Sequence, residues 1–83
     1  MYYCYILRSN KDRKLYIGYS SDLKKRLKEH SAGVVVSTKT RMPLELIFYE
    51  AFKDQADAKR REKYFKTTKG KSSLRQMLRK SLV

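Results

Sequence analysis

Tyr2-Tyr3-Cys4-Tyr5-Ile6-Leu7 and Leu15-Tyr16-Ile17-Gly18-Tyr19, separated by Ser9-Asn10-Lys11-Asp12-Arg13, are the stretches on which the fold of this chain turns. Both are crowded with aromatic and aliphatic residues that suit a pleated, half-buried surface, and the segment between them is polar and turn-prone. The spacing predicts a β-hairpin. Downstream, Ser20-Ser21-Asp22 offers N-cap oxygens and an acid, and Leu23, Leu27 and His30 recur at helical spacing until Gly33, so a helix is expected from about 21 to 32. From Ser31 to Pro43 the chain is polar and irregular except for Val34-Val35-Val36, which reads as a short strand or an apolar flap within a mobile loop. Leu44 to Phe52 alternates less cleanly, with Leu44, Leu46 and Phe48 on one side and Ile47 and Tyr49 on the other, as expected of a third strand buried on both faces. Asp54 caps a helix running to about Phe65, and Ser72 or Ser73 caps a last, basic helix within 70–82, with Leu74, Met77 and Leu78 as its apolar stripe. The expected order of elements is β-β-α-β-α-α.

At 83 residues the chain has room for one small core, hence one domain over 1–83. Its 41% hydrophobic content is enough to fold despite 35% charged residues. Twenty-one Lys and Arg against eight Asp and Glu leave a net charge of +13, which asks for a polyanion. The last acid is Glu62, and residues 63–83 carry seven bases and no acid. No apolar stretch approaches the ~20 residues of a membrane-spanning helix, and no leader pattern opens the chain, so a cytoplasmic protein without a membrane partner is expected. One cysteine excludes an internal disulfide, and one Cys with one His cannot build a Cys/His zinc site. Three glycines standing far apart exclude a glycine-rich phosphate loop.

Three features resist a purely structural explanation. Ala58, Glu62 and Phe65 share a helix face, which puts a carboxylate in the stripe that should meet the core, either as a salt-bridge partner or as a metal ligand at the floor of a cleft. Arg26 and His30 are i, i+4 neighbours at the border of the Leu23 and Leu27 stripe, where a solvated basic face and a substrate-binding edge are both open readings. Tyr5 and Tyr16 fall on the two hairpin strands as potential cross-strand neighbours, although tyrosines also simply fill sheets.

Tyr3-Cys4-Tyr5, ten intervening residues, Tyr16-Ile17-Gly18, then Arg26, His30 and Glu62 together resemble the GIY-YIG nuclease domain, with similarity from about Tyr2 to Lys66. The likeness is greatest to small stand-alone bacterial members related to the nuclease domain of the excinuclease C subunit. The resemblance implies an α+β fold, a three-stranded antiparallel sheet flanked by helices in the order β-β-α-β-α-α, and divalent-metal-dependent cleavage of DNA phosphodiesters. Tyr5 and Tyr16 would line the site near the attacking water, Arg26 would contact the scissile phosphate, His30 would assist, and Glu62 would hold Mg²⁺ or Mn²⁺. A tyrosine with an ordinary pKa near 10 would need Arg26 and the metal to lower it before it could act as a base. Two departures stand out. The first tripeptide lacks the family's Gly and Ile, and no asparagine follows the glutamate, the only one being Asn10 in the hairpin loop. Lys66, Lys69 or Lys71 are the candidates to replace it.

Lys24, Lys25, Lys39, Arg41, Lys66, Lys69 and Lys71 are the further candidates for nucleic-acid contact. The expected function is a divalent-metal-dependent endonuclease acting on DNA by structure more than sequence, in repair or processing. The rivals are a non-catalytic nucleic-acid binder with a vestigial site, ribosome-associated for instance, and a module of a larger repair complex.

Overall fold

In the computed structural model, which describes residues 1–83, the elements are β1 (Tyr2–Ser9), β2 (Leu15–Ser20), α1 (Leu23–Ser31), β3 (Leu44–Phe52), α2 (Gln55–Phe65) and α3 (Thr68–Met77). The strands form one antiparallel sheet in the order β2-β1-β3. This is the α+β arrangement and element order that the sequence predicts. β1 is central, so it is the strand buried on both faces: Cys4, Tyr5, Ile6 and Leu7 are all at most 1% exposed.

That placement corrects the reading of the third strand. β3 lies at a sheet edge and has no fully buried residue. Its uneven alternation comes from a bulge: Ile6 faces Phe48 and Leu7 faces Leu46, leaving Ile47 as the extra residue. A bulge changes which side chains share a face, so an interrupted alternation mimics a strand apolar on both sides.

One face of the sheet carries Cys4, Ile6 and Ile17, on which Phe65 of α2, Leu74 of α3 and Leu78 pack to form the core. The caps explain where the helices start. Asp22 accepts from Lys25 N at 3.1 Å, and Asp54 accepts from Ala56 N at 2.8 Å. The last helix begins earlier than the serines suggest: Thr67 is its cap, its Oγ1 accepting from Gly70 N at 3.0 Å. Residues 78–82 form turns, so the expected helix over 70–82 is replaced by Thr68–Met77. The earlier start depends on Gly70, where an added Cβ would lie 1.9 Å from the Tyr64 carbonyl oxygen. Only a glycine lets α3 come this close to the end of α2.

The segment after α1 is also corrected. It is neither a strand nor a free loop but a series of turns tied to the hairpin connection. Asn10 N donates to Pro43 O at 2.8 Å, Lys11 Nζ donates to Thr40 O at 3.1 Å, and Arg41 pairs with Asp12 at 2.9 Å. Val35 and Thr38 are buried while Val34 and Val36 are exposed, so the three valines do not act as one unit.

Candidate active site

The second face of the sheet holds the tyrosines. In the β1–β2 register Tyr5 sits opposite Gly18, and Tyr16 sits opposite Leu7. Tyr5 and Tyr16 are therefore diagonal neighbours on one face, with ring centroids 6.3 Å apart. Gly18 makes this possible, because a Cβ there would lie 2.3 Å from the Tyr5 ring. The glycine of Tyr16-Ile17-Gly18 is thus the slot into which the Tyr5 phenol is laid.

α1 presents the next two residues from above. His30 is 2% exposed, and its Nε2 lies 2.8 Å from the Tyr5 hydroxyl. Its ring also stands edge-on to Tyr16 at 5.2 Å between centroids. Arg26, one turn earlier, pairs with Glu29 at 3.1 Å and places its charge near the Tyr5 phenol. A fifth residue closes the set. Thr38 Oγ1 lies 2.8 Å from His30 Nδ1, and Thr38 is fully buried. Sequence reasoning passed over Thr38 because it stands in a polar segment without periodicity. Only the anchoring of that segment brings it under the imidazole.

Burial pushes the Tyr5 pKa up to about 12, outweighing the neighbouring Arg26, which pulls it down. Desolvation thus works against the lowering that a tyrosine would need to act as a base. Burial first, and then the Arg26 charge, hold the His30 pKa below its ordinary value, so the imidazole is neutral at neutral pH. A neutral imidazole carries one proton: in the tautomer protonated on Nδ1, Nδ1–H donates to Thr38 Oγ1 and the Tyr5 hydroxyl donates to Nε2.

Glu62 lies on α2 between Ala58 and Phe65, both fully buried, and its own side chain is 24% exposed. Its carboxylate is near enough to raise the pKa of both Tyr5 and Cys4. The salt-bridge alternative is present as well, with Lys66 Nζ 3.1 Å away. No group of three or more His, Cys, Asp or Glu side chains is placed to share a metal ion. Of the remaining candidates, Lys24 and Lys25 are exposed on α1 beside Arg26, and Lys39 is exposed in the turn next to Thr38. Arg41 is taken up by Asp12, Lys69 lies in the first turn of α3, and Lys71 faces a separate cleft. Cys4 is buried on the opposite, core face, and desolvation pushes its thiol pKa up to about 12, leaving it inert.

A strand tyrosine laid against a strand glycine and hydrogen-bonded to a helix histidine, with an arginine one turn earlier on that helix, defines a class. The family model described as the GIY-YIG catalytic domain matches residues 1–76, and the chain belongs to this family, whose members are generally nucleases. Among its relatives, the UPF0213 proteins of Streptococcus pyogenes serotypes M5 and M28 are each 42% identical over 71 residues, spanning 84% of this chain and 76% of theirs. The solution NMR structure of a UPF0213 protein from Bacillus halodurans shares the fold, with a TM-score of 0.57 and 33% identity over 93% of this chain and 85% of that one. No helix is long and apolar enough to cross a membrane.

Proposed function

We propose that this protein is a divalent-metal-dependent endonuclease that hydrolyses DNA phosphodiester bonds, selecting DNA structure more than sequence, in cytoplasmic repair or processing. The observation that carries the reading is the Tyr5 hydroxyl hydrogen-bonded to the His30 imidazole at 2.8 Å, with the Arg26 charge nearby. A phenol in that position is a relay. It accepts a proton from a water approaching a phosphate while passing its own to His30 Nε2, so it need not be ionised at rest. Thr38 Oγ1 accepts from Nδ1–H in the tautomer that can receive it. Tyr16, less buried, borders the same space and orients the water.

Arg26 supplies a planar, permanently charged fork for two phosphate oxygens and stabilises the charge that grows on them in the transition state. Glu62 offers one hard oxygen donor. That suits Mg²⁺ or Mn²⁺, which retain waters and complete their coordination with substrate phosphate, and it fits weak metal binding in the absence of DNA. Lys66 neutralises Glu62 in the free protein, and because Lys66 is 55% exposed it can leave for a phosphate when a cation arrives. The bound cation would supply charge neutralisation at the scissile phosphate. Lys24, Lys25, Lys39 and Lys69 extend the contact along the backbone of the nucleic acid.

The test is a nicking assay on supercoiled and branched DNA with Mg²⁺ or Mn²⁺. Glu62→Gln should abolish metal-dependent cleavage and leave DNA affinity equal or slightly higher, since it removes a donor and a negative charge from a basic surface. Wild-type cutting by the variant would make Glu62 a structural partner of Lys66 and turn the reading to a nucleic-acid binder.

A further inference from the structure

On the face of the sheet opposite Tyr5, a cleft of about 660 Å³ opens between the hairpin and α3. This is within the ordinary size range of ligand sites. Its rim is basic: Arg8 from β1, Arg13 and Lys14 from the hairpin connection, and Lys71, Arg75 and Arg79 along α3 and the turn after it. The last three recur every four residues and so form one stripe. No Asp or Glu side chain lines the cleft. Its floor is aliphatic, made by Leu15, Ile17, Leu74 and Leu82. Arg8 adds an independent sign of an absent partner. Its side chain is 13% exposed and only loosely paired with Glu45 at 3.6 Å, and its Nε is buried without a hydrogen-bond acceptor.

We propose that this cleft docks an acidic segment of a partner protein, with bulky apolar side chains entering the floor and Asp or Glu carboxylates meeting the arginine rim. The charge requires an anion, and the floor requires that the anion carry apolar groups. Four of the six rim residues are arginines, whose forks match carboxylates in bidentate geometry. A nucleic-acid strand fits less well. Unstacked bases are held by aromatic platforms, and none of the seven tyrosines and three phenylalanines lines the cleft. A phosphate backbone alone leaves the aliphatic floor unused. The occupant resembles the apolar face of a short amphipathic segment laid in a groove, with acids flanking its anchors.

A display library of random 12-residue peptides, selected on the full chain at 0.15 M salt, provides the test. The enriched peptides should share two or more bulky apolar residues flanked by Asp or Glu. They should bind Arg75→Gln/Arg79→Gln at least tenfold more weakly. Leu82→Ser, which changes no charge and lies near the chain end, should weaken the same peptides about fivefold or more while leaving duplex and single-stranded DNA binding within twofold. Thermal melts confirm that each variant is folded. Enrichment of acidic peptides without apolar anchors would overturn the proposal, as would peptide binding indifferent to Leu82→Ser. Parallel losses of peptide and oligonucleotide binding in Leu82→Ser would assign the cleft to nucleic acid instead.

Discussion

His30 is the residue whose environment makes the sharpest demand, because a neutral imidazole is sealed between a phenol and a threonine hydroxyl. Its pKa is lowered in the folded protein from an ordinary value near 6.5. Below about that pH the unfolded chain binds a proton that the folded chain refuses, so its contribution to stability is complete above it and lost as pH falls toward the folded value. The midpoint of urea unfolding should therefore drop from pH 7 to pH 5, and His30→Asn should flatten that part of the dependence whatever its effect on absolute stability. A wild-type slope that His30→Asn leaves intact would place the imidazole's titration elsewhere. Thr38 is a positioning residue in the same chain of hydrogen bonds. Thr38→Val removes the acceptor for Nδ1–H, which disfavours the imidazolium more than the neutral ring and frees the wrong tautomer. Cleavage should fall about 10- to 100-fold, part of the 10²–10⁴ a general base supplies, with KM little changed and the acidic limb of the pH–rate profile moved to lower pH. Thr38→Ser should restore both. A rate loss without movement of that limb would mean that Thr38 only packs the segment.

Among the elements, α3 depends most on a single contact. Gly70 abuts the Tyr64 carbonyl, a backbone atom that cannot swing aside. Gly70→Ala should therefore cost about 2–3 kcal/mol or more despite the gain in helix propensity, because the methyl forces α3 off α2 and withdraws Leu74 from the core. Chemical denaturation checks this, and a stabilised variant would show that the helices separate freely. The other elements were legible to different degrees. α2 was readable because its cap and apolar spacing are local, and the hairpin because its turn formers separate two matched runs. α3 was misplaced by several residues since Ser72 and Ser73 are as good caps as Thr67, and only packing against Tyr64 selects among them. Tyr5 and Tyr16 were expected as cross-strand neighbours, and the register makes them diagonal ones.

For the molecule as a whole, all eight acids are spoken for. Asp22 and Asp54 cap helices, and the other six pair with six of the 21 basic side chains, leaving fifteen without a carboxylate. Counterion release at about 0.9 per phosphate on duplex DNA then predicts a slope of log K against log salt of about −4 or steeper, with little change among sequences of equal length and structure. Fluorescence anisotropy over a salt series measures it. A slope near zero would mean that the excess charge does not meet a polyanion.

What the sequence by itself determined is what short-range chemistry carries: the net charge, the hairpin, the span of β3 and the capped start of α2, while Tyr5, Tyr16, Arg26, His30 and Glu62 stood out as candidates through the family motif. Periodicity, caps and turn formers act within a few residues, so they survive without a fold. The strand order was decided only by tertiary structure, and with it the fact that β1 is the strand buried on both faces. So were the bulge at Ile47, the arrival of Thr38 beneath His30, and the high pKa of Tyr5. Each depends on contacts between segments 25 or more residues apart or on the exclusion of water, and neither desolvation nor register is a property of any single stretch of chain.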